Sequence, residues 1–104
     1  MLQDVPIDDD ALAGFCRTWG IVELALFGSA VHGPFKPDSD VDVIVTFGPD
    51  VHPTLLQMVD MQDQLERLFR RPVDLLSKSG VLRSGNPIRR RAILDSAQVL
   101  YAAA

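Results

Sequence analysis

The 104-residue sequence predicts a small α/β (α+β) fold, a mixed sheet of three or four strands with flanking helices. Three observations predict it. Ile21–Phe27 and Val41–Phe47 are apolar runs of strand length bounded by turn residues. The segments before and after them carry apolar residues at helical spacing, with capping residues at their ends. A chain this long buries roughly two-thirds of its unfolded surface, enough for one core and one domain. The expected order is α-β-β-α-β-α, with helices mainly on one side of the sheet.

Asp8-Asp9-Asp10 precede Ala11, Leu12, Phe15 and Trp19, and Gly20 follows. Acids at the start, helical spacing and a closing glycine define a first helix. Ile21–Phe27, broken only by Glu23, reads as a buried strand. Residues 28–38 hold two glycines and two prolines and form a turn with room for one helical turn. Val41–Phe47 is a second strand, stopped by Gly48-Pro49.

Thr54 caps a helix that runs to about Arg70. Leu55, Val59, Gln62, Leu65, Glu66, Leu68 and Phe69 form its mostly apolar stripe, and Asp60, Asp63 and Arg67 its polar one. Pro72-Val73-Asp74-Leu75-Leu76 is a short third strand, starting with a proline that strand starts tolerate. Asn86-Pro87 is an N-cap and first-turn pair. It opens a last helix with Ile88, Ile93, Leu94, Ala97, Leu100 and Tyr101 on or near one face.

Composition excludes several classes. Cys16 is the single cysteine, so no internal disulfide forms, which fits a reducing compartment. No apolar run approaches the roughly 20 residues of a membrane span. Met1-Leu2-Gln3-Asp4 lacks the basic start and apolar core of a signal peptide, so a cytoplasmic location without membrane association is expected. The net charge is −4 and the pI near 4.9, which argues against direct nucleic-acid binding. The basic residues are uneven: Arg83, Arg89, Arg90 and Arg91 cluster late in the chain. Three consecutive helical residues span most of a turn, so these arginines cannot all face one ligand.

The chemistry concentrates in two stretches. Asp40 and Asp42 stand two apart at the head of the second strand, so their side chains share a face about 6 to 7 Å apart at Cα. That spacing suits two carboxylates sharing divalent ions, which sit roughly 3.5–4 Å apart in two-metal phosphoryl chemistry. Asp74 lies between Val73 and Leu75, where an acid is costly to bury unless paired or metal-bound. If the third strand lies beside the second, Asp74 joins the pair. Carboxylates about 5 Å apart repel by roughly 3 kcal/mol at an effective dielectric of about 20, so a cation is favoured. Oxygen donors suit Mg²⁺ or Mn²⁺, and no His/Cys set has zinc spacing. Read alone, Asp38-Ser39-Asp40 also fits a solvated turn.

The second stretch is Leu26-Phe27-Gly28-Ser29-Ala30-Val31-His32-Gly33. A Gly-Ser turn directly after a strand presents backbone N–H groups and a hydroxyl to an anion. A Walker A loop is excluded because Pro34-Phe35 stands where Lys-Ser/Thr is required. A Rossmann fingerprint is excluded because there is no G-x-G.

Gly28-Ser29 through Gly33, then Ser39-Asp40-Val41-Asp42, then Pro72-Val73-Asp74-Leu75 together resemble the DNA polymerase beta nucleotidyltransferase superfamily. Within it they are most similar to the minimal nucleotidyltransferase (MNT) branch. The resemblance spans Ile21 to Tyr101. It implies a nucleotidyltransferase fold, a single minimal domain over residues 1–104, two Mg²⁺ ions and ATP as substrate. On that pattern Asp40 and Asp42 would hold the metals and the nucleotide's phosphates. Asp74 would complete one metal site and help deprotonate the acceptor hydroxyl. Gly28, Ser29 and Ser39 would form the nucleotide-binding set, with Gly28 and Ser29 at the triphosphate. The implied reaction is nucleotidyl transfer, in which an acceptor oxygen attacks the α-phosphate and pyrophosphate leaves.

The chain departs from the pattern at one place. Many MNT proteins carry arginines just after the Gly-Ser pair and before the second glycine, where this sequence has Ala30 and His32. His32 is open between a protonated phosphate partner and an uninvolved loop histidine. Small MNT proteins commonly pair with a helical HEPN protein as toxin and antitoxin. The resemblance therefore implies a hetero-oligomer in which the MNT chain attaches AMP to a HEPN ribonuclease toxin. Two alternatives stay open: a non-catalytic antitoxin that binds its partner stoichiometrically, and an enzyme that modifies a small molecule such as an aminoglycoside.

Overall fold

In the computed structural model, which describes residues 8–27, 41–83 and 85–103 (for residues 89 and 96 the backbone alone), the first helix starts where the acids predict. Helix α1 spans Asp9–Trp19, and the Asp8 carboxylate accepts from the N–H groups of Asp10 and Ala11. Gly20 ends it in the left-handed conformation, φ 70°. A Cβ there would lie 2.6 Å from a Val51 methyl, so glycine is required both by conformation and by space.

Strands β1 (Ile21–Phe27) and β2 (Val41–Phe47) have the expected bounds. Helix α2 (Leu55–Phe69) carries a full capping box: Thr54 Oγ1 accepts from Gln57 N, and Gln57 Oε1 accepts from Thr54 N. Strand β3 (Val73–Ser77) runs directly into a short helix α3 (Lys78–Leu82), which Ser77 caps. Helix α4 (Pro87–Ser96) opens as expected, Asn86 Oδ1 accepting from Ile88 N at 3.1 Å.

The helix does not continue to Tyr101. It ends at Ser96, and Gln98–Ala102 forms strand β4, antiparallel to β1. Leu100 and Tyr101 pack on the core from a strand, not from a helix face. The physical reason is tertiary: β1 has an edge to fill, and pairing there outweighs local helical spacing.

The sheet order is β3-β2-β1-β4, with β1 antiparallel to both neighbours and β3 parallel to β2. Both faces are covered, which corrects the expectation of helices mainly on one side. On the first face, α1 and α2 contribute Leu12, Cys16, Met61, Leu65 and Phe69 against Leu24, Leu26, Val41, Val43, Val45 and Val73. On the second, Val81 of α3 and Ile93 of α4 pack on Ala25, Phe27 and Ile44. Burial on two faces explains why β1 and β2 are continuous apolar runs instead of alternating ones.

The α2 stripe is rotated from the expected one. Met61, Leu65 and Phe69 are buried, while Leu55 and Val59 are 80% and 53% exposed. The helix makes its first core contacts at Met58 and Met61.

Candidate active site

Three strand ends meet at one end of the sheet. Phe27, the last residue of β1, pairs with Asp42 near the start of β2, and Asp42 pairs with Asp74 near the start of β3. Val41, Val43 and Val45 are buried on the first face, which turns Asp42 and Ile44 to the second. In β3, Val73 and Leu75 pack on the first face and Leu76 on the second, so Asp74 shares the second face with Asp42. The two acids stand abreast across one strand spacing, about 4.8 Å. The sequence left this conditional on β3 lying beside β2, and it does.

The electrostatic argument changes. Asp42 is half-buried, but Asp74 is exposed, because β3 is an edge strand. Asp74 therefore pays no burial cost, contrary to the expectation for its apolar context. In water the repulsion of such a pair falls to roughly 1 kcal/mol, so folding does not require a cation. The case for a cation rests on donor geometry: two hard carboxylates abreast on one face fit Mg²⁺ or Mn²⁺. Among the described residues, no three His, Cys, Asp or Glu side chains converge. Asp40 lies outside the described residues, as do Gly28, Ser29 and Ser39, together with Ala30 and His32. The described strands bracket them. Phe27 and Val41, the described residues on either side of 28–40, both lie at the end of the sheet where the acids stand.

Arg90 and Arg91 diverge, as helical geometry requires. Arg91 pairs with Asp95 at 3.4 Å on an exposed face. Arg90 Nη1 donates to the Leu82 carbonyl at 3.3 Å. It lines a cavity of about 410 Å³ with Leu75, Leu76, Ser77, Val81 and Ile93. Arg83 lines a second cavity of about 410 Å³ with Phe47 and His52. That places it at the far end of β2 from Asp42.

Sequence reasoning missed Glu66, which it assigned to the apolar stripe. Glu66 Oε2 accepts from Val73 N at 2.9 Å, one residue before Asp74. A lone acid in the last turn of a helix, where the dipole disfavours it, was the available signal.

A four-stranded mixed sheet with helices on both faces is the architecture expected of the nucleotidyltransferase fold. Residues 9–100 match the model of the Nucleotidyltransferase domain family, and the chain belongs to that family. Over 67 residues it is 43% identical to protein adenylyltransferase MntA of Thermococcus cleftensis; the match covers 64% of this chain and 65% of that protein's length. A solved structure of a candidate minimal nucleotidyltransferase aligns with 31% identity and a TM-score of 0.66, covering 86% of each chain. A chain of the complex of tri-AMPylated Shewanella oneidensis HEPN toxin with MNT antitoxin aligns with a TM-score of 0.61 over 91% of this chain and 70% of that one. At 16% identity that likeness is one of fold.

Proposed function

We propose that this chain is a Mg²⁺-dependent nucleotidyltransferase of the protein-adenylyltransferase kind. It acts as an antitoxin, transferring AMP from ATP to a HEPN-family ribonuclease toxin in the cytoplasm and so neutralising it. The observation that carries this reading is the Asp42–Asp74 pair, abreast at the sheet end where β1 finishes at Phe27 and β2 begins at Val41. The adenylyltransferase relative and the AMPylated HEPN complex support the choice of nucleotide and acceptor.

In this mechanism Asp40, Asp42 and Asp74 would hold two Mg²⁺ ions, which would neutralise phosphate charge. On the sequence pattern Gly28 and Ser29 would contact the triphosphate, and Ser39 would complete the nucleotide-binding set. The acceptor oxygen bonds to the α-phosphorus, the bond to the bridging oxygen breaks and pyrophosphate leaves. The acceptor proton passes to an oxygen of Asp74, whose exposure leaves it accessible to an incoming hydroxyl. Catalysis is mainly positioning and charge neutralisation.

Ala30 and His32 favour a second reading, in which the chain masks its toxin stoichiometrically. Co-expression with a HEPN partner separates the two. Adenylyl transfer requires that Asp42→Asn lose neutralisation at equal dose. Full neutralisation by Asp42→Asn establishes masking instead.

A further inference from the structure

One peptide group is held from both sides at the start of β3. The Pro72 carbonyl accepts from Val41 N at 2.8 Å, across to β2. The N–H of the same peptide, on Val73, donates to Glu66 Oε2 at 2.9 Å. The peptide is trans, so its two polar ends point apart, one into the sheet and one outward along the free edge of β3. An outward N–H on an edge strand has no partner within the sheet. Here a carboxylate supplies one, in a charge-assisted bond stronger than a neutral one. The Glu66 main-chain oxygen also accepts from the N–H groups of Arg70 and Arg71. Glu66 thus organises the whole turn from α2 into β3.

From this geometry we infer that Glu66 is a positioning residue for the acid pair. Its carboxylate and the Val41 N–H clamp the Pro72–Val73 peptide, and that clamp sets the register that puts Asp74 abreast of Asp42. The consequence follows from strand geometry. A slip of one residue would turn Asp74 to the face packed by α1 and α2, where Val73 and Leu75 now lie. Looser play at the same peptide would widen the carboxylate pair without unfolding the sheet. The inference rests on the reading of Asp42 and Asp74 as the metal-nucleotide site.

The test compares Glu66→Ala, Glu66→Gln and Glu66→Asp, with Asp74→Asn as reference. The Gln side chain keeps an acceptor of the same reach; the Asp side chain is one methylene short. Binding of Mg²⁺ with a non-hydrolysable ATP analogue is measured by calorimetry, and exchange of the Val73 amide by NMR. Glu66→Ala and Glu66→Asp should weaken binding by about tenfold, the usual cost of removing a group that orients a metal ligand. Both should speed Val73 exchange while Leu26 and Val43 amides stay protected. Glu66→Gln should restore most of the binding and the protection. Wild-type binding by Glu66→Ala alongside lost binding by Asp74→Asn would overturn the inference. So would equal loss in Glu66→Gln, which would make the charge and not the acceptor the active feature. Wild-type binding by Asp74→Asn would defeat the acid-pair reading itself; the Val73 exchange would still report on the clamp separately.

Discussion

Asp42 of β2 and Asp74 of β3 occupy opposed positions in a parallel strand pair and share one face of the sheet. One is half-buried and the other lies in solvent on the edge strand. A nucleotide held between them through Mg²⁺ would bind the folded state alone and stabilise it by mass action. The wild-type protein should therefore gain about 3 kcal/mol when Mg²⁺ and an ATP analogue are present at roughly a hundred times the dissociation constant. A thermal unfolding scan reads this as a rise in Tm. Asp42→Asn and Asp74→Asn should each abolish the rise. Because Asp74 is exposed, its substitution should change the stability of the unliganded protein by less than about 0.5 kcal/mol.

Cys16 lies in the core with none of its surface exposed. Burial pushes its thiol from an ordinary value of 9.0 up to about 11, while Arg17 pulls slightly the other way. The thiol is thus kept neutral in the folded state, and ionisation is easier in the unfolded chain. Its contribution to stability is complete below about pH 9 and is lost as pH rises toward about 11. The full span amounts to about 3 kcal/mol. Denaturant titrations from pH 8 to 11 should show a steeper fall for the wild type than for Cys16→Ala. In the native state at pH 8 the thiol should resist an aromatic disulfide reagent and react at the rate of unfolding.

Arg70 ends α2 in the left-handed conformation, φ 58°, the one described non-glycine residue with positive φ. That conformation costs an L-residue roughly 1–2 kcal/mol. Arg70→Gly relieves it but gives the unfolded chain more freedom, so a gain of at most about 1 kcal/mol is expected. Arg70→Val should lose more than 1 kcal/mol, since a branched Cβ is least tolerated there. Chemical denaturation of the two variants checks the sign.

Thr54 and Gln57 satisfy each other's backbone donors at the start of α2. Thr54→Ala should cost about 1 kcal/mol. The lost order should be confined to the first turn, because Leu55 and Leu56 are 80% and 78% exposed and hold little of the core. Amide exchange should accelerate at residues 55–57 and not at Leu65 or Phe69.

Local rules made most of the elements readable. Asp8, Gly20, Thr54 and Asn86 stand at the helix ends where capping chemistry places them. Two-sided burial made β1 and β2 continuous apolar runs, and their bounds match at both ends. What the sequence did not disclose was non-local. Leu100 and Tyr101 keep helical spacing after α4, with no glycine or proline to stop it. Their strand exists because β1 offers an edge. The exposure of Asp74 follows from β3 being outermost, a property of strand order and not of its Val and Leu neighbours. The same order decided whether Asp42 and Asp74 would meet. The proposed roles of Gly28, Ser29, Ser39 and Asp40 rest on their sequence pattern, since these residues lie outside the described ones.

The central claim is that Asp42 and Asp74 serve transfer of AMP. The most direct measurement incubates the protein, Mg²⁺ and a HEPN partner with ATP labelled at the α-phosphate and, in parallel, at the γ-phosphate. The account predicts that α-label enters the partner, that γ-label is released as pyrophosphate, and that Asp42→Asn, Asp74→Asn or chelation of Mg²⁺ stops both by about a hundredfold or more. Incorporation of γ-label, or α-label transfer by Asp42→Asn at the wild-type rate, would contradict it.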